Sequence, residues 1–175
     1  MFLTLIRHTS VAVLPGYCYG QSDVDISTTF QTEAKQVLSK LQGNSFDAVY
    51  SSPLSRCRKL ANYCGFKEPI LDDRLMELNF GDWEMKAWTE IEDTQLQRWF
   101  DNWVYEAPTR GESFQSLLNR VEEFLLEIKK LPIQRAVLFT HSGIFRSVEV
   151  IINRLSVAEA FDNKVEYGDC KEFIL

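Results

Sequence analysis

Two histidines, two arginines and one carboxylate hold the chemistry this sequence offers. His8 and His141 are its only histidines. Each follows an apolar run: Phe2-Leu-Thr-Leu-Ile6 leads into Arg7-His8, and Ala136-Val-Leu-Phe-Thr140 leads into His141-Ser142-Gly143. A third run, Phe46-Asp-Ala-Val-Tyr50, ends in Ser51-Ser52-Pro53, with Arg56 and Arg58 just beyond. The segment Arg74-Leu-Met-Glu77-Leu78 adds a carboxylate, although Asp72, Asp73, Asp82 and Glu84 compete with Glu77 for any such role. These types suit phosphoryl transfer. Arginine forks match phosphate oxygens and keep their charge. A neutral imidazole can attack phosphorus and form a covalent intermediate. A carboxylic acid can protonate the departing oxygen and then act as base towards water. A second histidine and the helix N-terminus at Gly143 can stabilise the charge that builds on the equatorial oxygens.

Such groups need strands to carry them. Short β-branched and aromatic runs that end in polar residues and glycine read as buried strands breaking into loops. Ligands of parallel α/β sheets bind outside the carboxyl ends of such strands. The pattern predicts strands over Phe2–Ile6, Phe46–Tyr50 and Ala136–Thr140. A short strand or extended segment over Ile70–Glu77 and an edge strand over Cys170–Leu175 complete the set. Between them lie helices of about Thr29–Gln42, one opening at Leu54, one capped by Ser113 with Phe114, Leu117, Leu118, Val121, Leu125 and Ile128 on one stripe, and one carrying Ile144 to Ile152. Alternating strands and helices imply an α/β/α sandwich with a mostly parallel central sheet. Residues 81–110 hold all four tryptophans (Trp83, Trp88, Trp99 and Trp103) and read as a small helical insertion over the C-terminal strand ends.

Length and composition fit one soluble domain, residues 1–175. A net charge of −6 without a basic block argues against nucleic-acid or acidic-membrane partners. The four cysteines, Cys18, Cys57, Cys64 and Cys170, lack zinc-like spacing. No signal peptide or spanning apolar run stands out, so a reduced cytoplasmic setting is the default. No carboxylate cluster suggests a two-metal site. No metal or cofactor is expected, and the expected partner is a small phosphate ester.

The motifs Leu5-Ile-Arg-His8, Ser51-Ser-Pro-Leu-Ser-Arg56, Glu77-Leu-Asn-Phe-Gly-Asp-Trp-Glu84, Gly111-Glu-Ser113 and Thr140-His-Ser-Gly143 together resemble the histidine phosphatase (phosphoglycerate-mutase-like) superfamily. The resemblance covers nearly the whole chain, in order. It implies that His8 is the nucleophile that becomes a phosphohistidine, Arg7 and Arg56 the phosphate clamp, Glu77 the proton donor and acceptor, and His141 the second pocket histidine. It also implies metal-free chemistry. Three positions depart from the family pattern: Thr9 and Ser142 stand where glycine is usual, and Leu14 stands where an asparagine often contacts phosphate. The loop Cys18-Tyr-Gly-Gln21-Ser-Asp23 is similar to that of the alpha-ribazole phosphatase branch. That branch removes a 5′-phosphate from a benzimidazole riboside, or its cobamide-attached form, in cobalamin assembly. Gly20 and Gln21 are candidate substrate contacts: the glycine would let backbone amides approach a phosphate, and the glutamine offers a donor and an acceptor. Ser142 and Gly143 are candidates as well.

Blander readings stand beside these. Arg58 reads as a surface or ion-pair residue, and Arg146, on the helix after His141, reads either as a site residue or as part of an exposed helical face. The tryptophans read as core more readily than as a ligand platform. Tyr17 and Tyr19 read equally as turn-flanking residues and as substrate contacts. Other small-molecule phosphatases, a mutase-like phosphotransferase, a phosphatase of protein phosphohistidine and a non-catalytic phospho-ligand module are the rival functions.

Overall fold

The computed structural model describes residues 1–175. Its centre is a five-stranded sheet in the order β3-β2-β4-β1-β5. These strands are β1 (Phe2–Arg7), β2 (Ala48–Ser51), β3 (Ile70–Leu71), β4 (Arg135–Thr140) and β5 (Cys170–Ile174). The first four run parallel, and β5 pairs antiparallel with β1 at one edge.

The apolar runs of β1 and β4 are continuous because both of their faces are covered. Leu3, Leu5, Ala136 and Leu138 point into one core, with the inner stripes of α4 (Phe114–Ile128) and α5 (Ser142–Asn153). Ile6, Val137 and Phe139 point into the other, with α1 (Phe30–Leu41) and α2 (Ser55–Tyr63). The result is the expected three-layer α/β/α sandwich. Helix α4 starts where its cap predicts: the Ser113 hydroxyl accepts from the Ser116 N–H.

Three local expectations are corrected. The Ile70–Glu77 strand is only two residues long. Asp72 stops it, because its carboxylate caps a 3₁₀ turn over Asp73–Leu75. The 81–110 insertion contains one true helix, α3 (Leu96–Asn102), and two 3₁₀ turns, Gly81–Trp83 and Trp88–Glu90. A further helix, α6 (Val157–Asp162), was not expected; a Ser156–Glu159 capping box starts it.

The insertion is stitched to the loop after β1. The Cys18 N–H donates to Lys86 O at 2.8 Å, the Met85 N–H to Cys18 O at 2.7 Å, and the Trp88 N–H to Gly16 O at 2.9 Å. Both segments follow carboxyl ends of parallel strands, so they build up the same end of the sheet. No helix is long and apolar enough to cross a membrane.

Candidate active site

Register places the two histidines together. β1 and β4 are neighbours, and their last residues, Arg7 and Thr140, are paired. The next residue on each chain is a histidine. The His8 N–H continues the ladder to Thr140 O at 3.0 Å, and the two imidazoles meet edge to face with centroids 5.0 Å apart.

His8 is buried, and its Nδ1 lies 2.7 Å from the Thr9 carbonyl oxygen. A carbonyl can only accept, so Nδ1 carries the proton and Nε2 keeps its lone pair. Burial, then the Arg56 and Arg7 charges, hold the His8 pKa well below the ordinary histidine value, although the Thr9 bond opposes this. The ring is therefore neutral near pH 7, as a nitrogen nucleophile requires. His141 is fully buried and caps α5. Its Nε2 is 2.8 Å from Ser52 Oγ and 3.5 Å from Cys57 Sγ. Burial, then His8 and the arginines, lower its pKa too. The same burial pushes the Cys57 thiol up to about 12, so it sits as a neutral packing group.

Arg56 is fully buried on the first turn of α2. Its Nη1 donates to Ser22 O at 2.9 Å and its Nη2 to Gly20 O at 2.6 Å. Arg7 donates through Nη1 to Val165 O at 2.5 Å, with its guanidinium 4.0 Å from the Tyr167 ring centroid. The buried Nε of each arginine has no partner within the protein. Tyr19 faces Arg56 at 5.8 Å, and the Tyr19 and Tyr167 hydroxyls bond at 2.7 Å. One tyrosine pair thus links the outer sides of both arginines.

Glu77 sits on the N-terminus of α5. Its carboxylate accepts from the Gly143 N–H at 3.1 and 3.2 Å, from Ser142 Oγ at 3.2 Å and from the Leu78 N–H at 3.0 Å. A negative group is favoured at that helix end. Arg120, paired with Glu112, fixes the preceding segment by donating to Arg74 O and Glu77 O. Three of the competing carboxylates are engaged elsewhere, and the fourth, Asp73, does not line the cavity that His8 and Glu77 border. Asp72 pairs with Arg74, and Asp82 with Arg110. Glu84 accepts from the Gln21, Ser22 and Phe80 N–H groups.

These groups border a cavity of about 240 Å³ lined by Arg7, His8, Arg56, Glu77, Ser142 and Gly143, with Tyr19, Arg146 and a set of apolar side chains. His141 stands behind that wall. The expectations for Gly20, Gln21 and Gly143 change. A Cβ on Gly20 would fall 1.9 Å from Leu78 O, so close packing against that carbonyl requires the glycine. Gln21 is turned away, its side chain donating to Glu77 O at 3.1 Å. The Gly143 N–H holds Glu77, where an oxyanion donor was expected. None of the four tryptophans lines the cavity. Trp83, Trp88 and Trp99 pack on one another, and Trp103 packs on Phe114 and Phe161. Arg58 lies on a separate surface with Lys59 and Lys67. Tyr167 and Phe161 were not among the expected site residues, and of the two readings of Arg146 the cavity lining favours the site; all three come from segments whose sequence resembles ordinary loop and helix surface. No three His, Cys, Asp or Glu side chains cluster as metal ligands.

Comparison with known proteins gives this geometry a context. The model of the histidine phosphatase superfamily (branch 1) matches residues 3–172. An adenosylcobalamin/alpha-ribazole phosphatase of Escherichia coli (strain K12) is 30% identical over 169 residues, covering 89% of this chain and 79% of that protein. Phosphoserine phosphatase 1 of Hydrogenobacter thermophilus is 33% identical over 137 residues, covering 73% of this chain and 64% of that protein. The crystal structure of the alpha-ribazole phosphatase from Shigella flexneri superposes with a TM-score of 0.91 at 25% identity, over 98% of this chain and 89% of that one.

Proposed function

This chain belongs to the histidine phosphatase superfamily and is a phosphatase, and we propose that it is a metal-independent phosphomonoesterase that turns over through a phosphohistidine on His8. The observation that carries this reading is the state of His8: a neutral imidazole, its Nδ1 proton committed to Thr9 O, beside two arginines with unpaired buried Nε groups.

In the first step, His8 Nε2 attacks phosphorus in line and the bond to the leaving oxygen breaks. Glu77, protonated for this step, gives its proton to that oxygen. Arg7 and Arg56 hold the non-bridging oxygens, and His141 stabilises their charge from beside His8. Thr9 O keeps the Nδ1 proton, which stabilises the phosphorylated ring. In the second step, Glu77 takes a proton from water, the water oxygen attacks phosphorus, and His8 leaves as a neutral imidazole. Arginines supply the positive charge at phosphorus, so no metal ion is called on.

We place the substrate with the alpha-ribazole 5′-phosphates of cobalamin assembly and the protein in the cytoplasm. Similarity to two alpha-ribazole phosphatases over most of the chain supports the first assignment. Four free cysteines support the second. Phosphoserine is the second reading, favoured by the Hydrogenobacter relative.

The test is phosphate release, with chelator present, from alpha-ribazole 5′-phosphate, phosphoserine, nucleoside monophosphates and phosphoglycerates. The expected result is the highest kcat/KM on alpha-ribazole 5′-phosphate and no loss on chelation. Preference for phosphoserine would overturn the substrate assignment. Isomerised phosphoglycerate without phosphate release would overturn the hydrolytic one.

A further inference from the structure

The mechanism leaves one cationic cavity residue without a role. Arg146 lies on α5, three residues beyond Gly143 and four beyond Ser142, so all three share a helix face. It lines the same cavity as His8 and Glu77. Its guanidinium sits 4.6 Å from the ring centroid of Phe161, and its buried Nε has no partner. A buried donor left unpaired is costly, so such a group favours a ligand that brings an acceptor.

Burial pulls the Arg146 pKa below the usual arginine value. The charges facing it are Glu77, which opposes that shift most strongly, then Arg7 and Glu149. Arg146 follows Gly143 by one helical turn, and the Gly143 N–H holds Glu77, so Arg146 lies on the Glu77 side of the cavity. In the mechanism above, Glu77 hands its proton to the leaving oxygen, so the leaving group lies on that side. The nearby walls are Phe80, Phe114, Leu117 and Phe161, which cannot donate a conventional hydrogen bond. Arg146 is the one guanidinium presented to a leaving group among those apolar walls.

We propose that Arg146 is a specificity residue that donates to an acceptor oxygen on the leaving group, and that the enzyme selects phosphomonoesters whose leaving group combines an apolar body with such an oxygen. The proposal rests on the phosphomonoesterase reading and names which part of the substrate that site reads. A sugar hydroxyl and a carboxylate both supply the acceptor, and the substrates below separate them.

The experiment measures kcat and KM for the wild type, Arg146→Met and Arg146→Lys on ribose 5-phosphate, phosphoserine and phenyl phosphate. Arg146→Met keeps the side-chain stem against Phe161 and removes every donor. It is expected to lose about tenfold to a hundredfold in kcat/KM on ribose 5-phosphate or phosphoserine, and to change by less than about threefold on phenyl phosphate. Loss on ribose 5-phosphate assigns the hydroxyl, and loss on phosphoserine assigns the carboxylate. Arg146→Lys keeps the charge without the planar fork and is expected to show the same substrate ordering over a smaller range. It carries the test if Arg146→Met does not fold. Equal loss on all three substrates would place Arg146 in the phosphate clamp and overturn the proposal. No loss on any would also overturn it. The wild type is measured first, on alpha-ribazole 5′-phosphate as well: failure to release phosphate from any of the four would sink the phosphomonoesterase reading itself, independently of Arg146.

Discussion

At the residue scale, the two histidines matter through the proton they do not take up. Both pKa values are held well below the ordinary histidine value, by burial first and by neighbouring cations after it. In the unfolded chain both rings titrate near pH 6.5. Below that pH the unfolded chain binds protons that the folded chain refuses. Stability is therefore full above about pH 6.5 and falls as pH drops towards the folded-state values, by up to about 1.4 kcal/mol per pH unit for each histidine. Urea unfolding at pH 7 and pH 5.5 checks this. The wild type is expected to lose clearly more stability across that interval than a His8→Gln, His141→Gln double variant. Equal losses would mean that the rings protonate freely in the folded protein. The same residues were legible in the sequence because histidine is rare here and each one ends an apolar run. The roles of Gly20 and Gln21 were not. A loop motif names its residues but not their directions, and here Gly20 meets Leu78 O while Gln21 reaches Glu77 O.

At the scale of elements, the site is a meeting of ends. β1 and β4 supply the histidines in register, and Ser52, the residue after β2, braces His141 through its hydroxyl. The start of α5 holds Glu77 through a close contact: a Cβ on Gly143 would fall 2.1 Å from Glu77 Oε1, so the carboxylate would have to move to admit it. Gly143→Ala is therefore expected to displace Glu77, the proposed general acid, while leaving His8 in place. Turnover of alkyl phosphates, whose leaving oxygen needs a proton, should fall by about a hundredfold or more. Turnover of p-nitrophenyl phosphate, whose leaving group departs as an anion, should fall far less. Equal losses on both substrates would contradict the assignment of Glu77. Long elements were readable from their periodicity, as the stripes of α1 and α4 show. Short ones were not. α6 is six residues long, yet its Ser156-Val-Ala-Glu159 start is a capping-box pattern present in the sequence. β3 loses most of its expected length to a turn capped by a single aspartate.

At the scale of the whole molecule, two cores clamp the sheet while a separate aromatic cluster borders the cavity through Phe80. That third cluster gathers Cys18, Trp83 and Ile91 with Phe80, Trp88, Leu96 and Trp99. Composition marked this stretch as unusual, but only tertiary packing shows that its tryptophans serve one another while Phe80 alone of that cluster reaches the cavity wall. Tyr19, Tyr167 and Phe161 reach the site from loops and a helix far apart in the chain, a convergence that no local pattern encodes. The proposed mechanism has one chemical consequence above the others, a phosphoryl group carried on His8 between two half-reactions. Rapid-quench labelling with a phosphorus-labelled substrate tests it most directly. The account predicts an acid-labile, base-stable phosphoenzyme on His8 that forms and decays within turnover, is absent in His8→Ala, and forms more slowly in His141→Ala. Label on another residue, an acid-stable linkage, or near-wild-type turnover by His8→Ala would contradict it.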